Sequence, residues 1–180
     1  MLLASAWCVR ADDWHDALRL QVALDRLGYS PGVLDGKVGR KTNLAMKALA
    51  RTLGVEAPLS PADVIPADLE ATRSYTVSSA DVALVGRVPQ DWEERSELDA
   101  MTYESIHDLL AERGHCTRAT VERLNPGVEI ASIGAGDSVA IPNVLDDPGA
   151  EELVEEVVVD LEEKTVEACD AEGRTVALFH

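Results

Sequence analysis

The sequence predicts an α+β chain made of small modules. Three observations carry that expectation: apolar residues at helical spacing near the start, a strand-helix-helix-strand pattern in the middle, and period-two apolar runs at the end. Hydrophobic residues make up 46% of the 180 positions and charged residues 27%, a globular composition. Aromatic residues are only 4%, so any core must be built from Leu, Val, Ile and Ala. Thirty-three acids against sixteen Lys and Arg give a net charge of −17, which argues against binding nucleic acid through general phosphate contacts. No apolar run approaches the roughly 18 residues of a membrane span, so no transmembrane segment is expected. Charge is unevenly spread: Met1 to Leu53 is net +3, whereas Gly54 to His180 is net −20. The twelve acids between Asp146 and Glu172 read as a solvated surface, since the carboxylate loop with a glycine turn that calcium needs is absent from the pattern.

The opening residues 1–13 are apolar and include Ala4-Ser5-Ala6, the form of a secretory cleavage site without a full leader before it. They read either as the remnant of a signal peptide or as an ordinary buried N-terminal segment. From Trp14 to Gly28, Ala17, Leu20, Leu24 and Leu27 recur at spacings of three and four, predicting an amphipathic helix closed by Gly28. Pro31-Gly32 and Asp35-Gly36 then turn the chain twice. A second helix is expected from Arg40 to Leu53 with Ala45, Ala48, Leu49 and Leu53 on one face, ended by Gly54. Residues 14–55 thus form a two-helix module, and residues 56–72, broken by Pro58, Pro61 and Pro66, form a linker with at most a short helical turn.

Within 73–144, Tyr75-Thr76-Val77 is a strand, Ser78 to Ala100 is irregular around Trp92, and two short helices follow. The first is capped by Thr102 and carries Ile106, Leu109 and Leu110 up to Gly114; the second is capped by Thr117 and carries Val121 and Leu124 up to Asn125-Pro126-Gly127. Ser138 to Pro142 returns as a strand. Over 145–180 the expected meander has strands around Val157-Val158-Val159, Thr165 to Cys169 and Thr175 to Phe179, ending on an apolar edge with nothing to pair against. The three cysteines, Cys8, Cys116 and Cys169, are widely spaced and suggest neither a disulfide framework nor a zinc site.

Three stretches resemble known families. The run Leu20-Gln21-x-x-Leu24, Leu27-Gly28-Tyr29-x-Pro31-Gly32-x-x-Asp35-Gly36-x-x-Gly39-x-x-Thr42-x-x-Ala45 resembles the helical peptidoglycan-binding domain of bacterial wall hydrolases and transpeptidases, though Leu49 and Ala50 stand where that family has an aromatic and a glutamine. Tyr75-Thr76-Val77, Leu124-Asn125-Pro126 and Gly136 to Pro142 resemble a LysM module, with a segment around Trp92 in place of the family's Gly-Asp-Thr. Val157 to Asp160 and Lys164 to Arg174 resemble the opening strands of an L,D-transpeptidase catalytic domain.

Together these resemblances imply the noncatalytic wall-targeting portion of an L,D-transpeptidase-like envelope protein, periplasmic or exported, with an incomplete catalytic domain over 145–180. They imply peptidoglycan as partner and Tyr29, Asp35, Lys37, Arg40, Thr42, Trp92 and Asn125 as candidate contacts. Catalytic residues, metal ligands and cofactors are not expected. Gly114-His115-Cys116-Thr117-Arg118 has its glycine before the histidine, unlike the family's Ser-His-Gly-Cys-x-Arg, so Cys116 reads as a packed cysteine beneath the Thr117 cap. The rival reading is an acidic adapter whose C-terminal strands pair with a partner chain.

Overall fold

The computed structural model describes residues 14–55, 58–98, 100–144 and 154–180. The expected leader over 1–13, with Cys8, lies outside the described residues, as do 56–57 of the linker and 145–153 of the acidic stretch. The described chain is α+β, with seven α-helices and two antiparallel sheets. It divides into two compact units, one within Met1–Gly32, Gly36–Ala71 and Asp147–His180, the other within Val33–Asp35 and Thr72–Asp146.

In the first unit, α1 (Trp14–Arg26) buries Ala17, Leu20 and Leu24 as the spacing predicts, and also Leu18 and Val22 beside them. Leu27, expected on that face, is exposed instead, because the helix has already ended and Gly28, at φ 83°, turns the chain away. The second helix, α2 (Arg40–Leu53), buries Ala45, Ala48 and Leu49. It ends on Gly54 in the left-handed region, whose N–H reaches the Ala50 and Arg51 carbonyls. Leu53 was expected on the buried face but is exposed; it is the last helical residue, and Ala50 is buried in its stead. The prolines of the linker leave room for one turn only, α3 (Pro61–Val64), with Ser60 and Asp63 forming its capping box.

Two helices of this length enclose too little apolar volume to be stable alone. The C-terminal meander supplies the rest. Its strands, β3 (Glu156–Asp160), β4 (Thr165–Cys169) and β5 (Thr175–Phe179), are antiparallel in the order β3-β4-β5. The expectation that the last strand leaves an unpaired edge is corrected here. The Leu178 N–H donates to the Gly28 carbonyl and the Ser30 N–H to the Leu178 carbonyl, both at 2.9 Å, so that Tyr29 lies parallel to β5. Leu178, 1% exposed, then enters a core with Leu20, Ala23, Leu24, Tyr29, Ala45, Ala48, Leu49 and Val64. The Tyr29 hydroxyl donates to the Thr175 carbonyl at 2.6 Å and lies 2.8 Å from the Thr52 hydroxyl. Arg51 pairs with Glu167 at 2.8 Å across the same junction.

In the second unit, β1 (Thr72–Thr76) pairs antiparallel with β2 (Ser138–Pro142), Thr72 opposite Pro142 and Thr76 opposite Ser138. β1 starts earlier than expected because Thr72 and Arg73 find partners along the full length of β2. The stretch after it is not irregular throughout: α4 (Ser79–Ala83) and α5 (Trp92–Ser96) are single turns. Each is held by its own cap, the Ser78 hydroxyl accepting from the Asp81 N–H and the Asp91 carboxylate from the Glu93 and Glu94 N–H groups. The next helix, α6 (Ile106–Arg113), is capped by Ser105 and not by Thr102, whose hydroxyl donates to the Arg87 carbonyl instead. Thr117 caps α7 (Arg118–Leu124) as expected. Ile106, Leu109, Leu110, Val121, Ile130, Val139 and Ile141 form the core with Val77. Gly114 is needed for close approach: a Cβ there would lie 2.8 Å from Pro142 Cδ and 3.2 Å from Cys116 Sγ. Within the same unit the Leu34 N–H donates to the His115 carbonyl, and the Thr120 hydroxyl donates to the Leu34 carbonyl.

Because Leu178 completes the helical core, Leu178→Ala is expected to destabilise the chain by about 2 to 4 kcal/mol in urea denaturation, whereas Phe179→Ala, one residue on and exposed, costs under about 1 kcal/mol. Equal effects of the two would mean that the sheet is not part of that core.

Candidate functional site

The double turn of the first unit is built around a buried amide. Gln21, on α1 and 1% exposed, accepts from the Gly36 N–H through Oε1 at 2.8 Å and donates from Nε2 to the Lys37 carbonyl at 3.1 Å. Two turn groups that would otherwise be stranded at the helix surface are thereby satisfied. Gly36 sits at φ 70° against the indole of Trp14, where a Cβ would come within 2.1 Å of Nε1. Only glycine fits there, for backbone and space together. Of the residues that lead from the turn into α2, Lys37 and Arg40 are exposed, while Val38 packs against the helical core.

Of the five candidates in the first module, Lys37 and Arg40 are exposed. The Arg40 guanidinium pairs with the Glu163 carboxylate and donates to its carbonyl at 3.2 Å, which steadies it and partly offsets its charge. Tyr29 and Thr42 are buried, at 4% and 1%, and Tyr29 gives its hydroxyl to Thr52 and Thr175; both shape the module from within. Asp35 is half-buried in the Val33–Asp35 stretch that groups with the second unit.

In the second unit Trp92 opens α5 and is 73% exposed, with Glu93 and Glu94 next to it. Asn125 is buried. Its Nδ2 donates to the Val121 and Ala140 carbonyls and its Oδ1 accepts from the Ala140 N–H, all at 2.8 Å, tying α7 to β2. The resemblance picked out a residue that here acts as a bracket between elements.

A polar cluster that the sequence reading missed lies on the same unit. Asp81, 4% exposed, accepts from the Ser78 hydroxyl and N–H and from the Tyr75 hydroxyl at 2.9 Å, and Arg113 stands 3.4 Å away. Burial pushes its pKa up most, but the bonds from Ser78 and Tyr75 and the charge of Arg113 outweigh it and hold the carboxyl below its ordinary value. The Tyr75 hydroxyl is pushed up in turn, by burial and then by Asp81. The signal in the sequence was Ser78-x-x-Asp81, a capping-box spacing.

Both described cysteines have their thiols pushed up. Burial pushes the Cys116 thiol up to about 12. Cys169, buried on β4, is also pushed up, by burial first and then by Glu167 and Glu156. Activation of a thiol requires the opposite. Among the described residues no group of three His, Cys, Asp or Glu side chains is placed to hold a metal ion.

No protein-family model matches the chain, and no match is found among curated proteins.

Two outcomes follow from these shifts. A carboxyl with its folded pKa below the unfolded one stabilises the fold above the unfolded value, near pH 3.8, and loses that contribution as pH falls through the folded value. The melting-temperature gap between wild type and Asp81→Asn is therefore expected to be full at pH 7 and to shrink below pH 4; a gap constant from pH 7 to pH 2.5 would contradict this. For the thiol, a chain with Cys8→Ser and Cys169→Ser leaves Cys116 alone. At pH 8 it is expected to react with a disulfide reagent roughly 30-fold or more slowly folded than in urea, the loss of thiolate outweighing its greater intrinsic nucleophilicity. Similar rates would show an activated cysteine.

Proposed function

We propose that this chain is a noncatalytic peptidoglycan-targeting portion of an L,D-transpeptidase-like envelope protein, periplasmic or exported. The observation that carries this reading is the buried Gln21 bracket. It gives a physical role to positions of the peptidoglycan-binding resemblance, Gln21, Gly36 and the turn between the helices, and it leaves Lys37 and Arg40 outward. Those cations lie in the net-positive part of the sequence, suited to the carboxylates of wall stem peptides. Exposed Trp92 offers a flat apolar platform for a sugar ring on the second unit. The raised pKa of Cys116 supports the noncatalytic part of the reading, because acyl transfer needs a thiolate. A second reading, an acidic envelope adapter working through its C-terminal strands, is favoured by the exposed valines of β3.

The test is co-sedimentation of the full chain with insoluble peptidoglycan. Weak pelleting is expected at low salt, falling as salt rises and falling further in Lys37→Glu at unchanged melting temperature. Equal sedimentation with and without wall material at low salt would remove the wall-binding reading.

A further inference from the structure

The two faces of the sheet in the first unit are unequally covered: Leu178 is buried on one, and on the other Ala168 is buried while the outer residues are exposed. Successive residues of a strand point to opposite sides, so the register assigns each side chain to a face. Val158 is paired with Glu167 and Glu167 with Leu178; Leu178 enters the helical core, while Val158 at the other end of the row is 43% exposed. The alternate rows are Val157 with Ala168 and Ala177, and Val159 with Val166 and Phe179. All six of these residues are apolar, and Val157, Val159 and Phe179 are more than half exposed.

Among the described residues β3 has a strand neighbour, β4, on one side only. Native edges are protected by short length, charge, proline or a bulge; β3 has no lysine, proline or bulge and relies on its five-residue length and its acids. It carries instead acids at both ends of its valines, Glu156 before and Asp160 after, with Glu155, Glu162 and Glu163 adjoining. Asp160 is held in place by accepting from the Glu162 and Glu163 N–H groups.

This charge pattern discriminates between occupants. A second copy laid antiparallel about Val158 would put Glu156 opposite Asp160 twice, and one laid parallel in register would put each acid against itself. Like charges directly opposite one another destabilise a strand pair, whereas opposite charges stabilise it. We infer that β3 is a docking edge for an extended segment of another protein that carries Lys or Arg at two positions four apart and β-branched residues at the second and fourth positions. Such a segment adds its backbone to β3, sets its cations beside Glu156 and Asp160, and extends the apolar face formed by Val157 and Val159. The inference does not depend on wall binding by the first unit, so each can fail alone.

The experiment uses the full chain and two fluorescent peptides centred on Lys-Val-Thr-Val-Lys and Glu-Val-Thr-Val-Glu. The lysine peptide is expected to bind about tenfold more tightly at low salt, from two opposite-charge pairs replacing two like-charge ones. Amide shifts are expected to concentrate on residues 155–161. Glu156→Lys combined with Asp160→Asn, the Asn keeping the turn acceptor, is expected to abolish or reverse the preference at an unchanged circular dichroism spectrum. The wild-type comparison stands if that variant does not fold. Equal affinity for the two peptides, no binding of the lysine peptide at millimolar concentration, shifts mapping elsewhere, or a dimer of the chain whose interface maps to β3 would each overturn the inference.

Discussion

Leu178 is where the first unit is closed. A pair of helices of thirteen and fourteen residues cannot enclose a core without a third surface, and the small side chains that let them approach, Ala23, Ala45 and Ala48, leave that surface to be filled from outside. The last strand fills it. Its backbone is tied to Gly28 and Ser30, and its leucine descends among the helical residues. Much else in the unit follows from that docking: the buried Tyr29 hydroxyl needs the Thr175 carbonyl, and Arg51 gains Glu167 as a partner.

Buried polar side chains act as fasteners in both units. Gln21 and Asn125 each use both ends of a carboxamide, one to hold a turn, the other to hold a helix to a strand. Asp81 does the same as an anion, joining β1, the start of α4 and the end of α6. Replacing any of them by an apolar residue would strand buried backbone or hydroxyl groups, which costs more than the bond itself contributes. With so few aromatic residues, the cores specify shape through these polar contacts as much as through packing.

The two faces of the sheet differ: the row that ends in Leu178 includes Glu167, whereas the rows of Val157 and Val159 are wholly apolar. Leu178 enters the helical core from one face, while Val157, Val159 and Phe179 on the other are more than half exposed among the described residues. Among the described residues β3 is paired on one side only, and the carboxylates at its ends disfavour pairing with its own kind.

Local physics was legible in the residues. The spacing of Ala17, Leu20 and Leu24, the glycines after the first two helices, Thr117 as a cap and the positions of the last three strands all depend on neighbours a few positions away, and each is found in the structure. The single-turn helices capped by Ser78 and Asp91 were written locally too, but polarity around them made the stretch read as irregular. Of the candidate site, the outward cations Lys37 and Arg40 suit surface contact, whereas the burial of Tyr29, Thr42 and Asn125 depends on partners supplied by other elements. The docking of β5 beside residue 29, the bracket from Gln21 to the turn and the cluster around Asp81 join residues six to about 150 positions apart. Side-chain period tells which face of an element is apolar and says nothing of which distant face will cover it; that choice belongs to the packing of the whole unit.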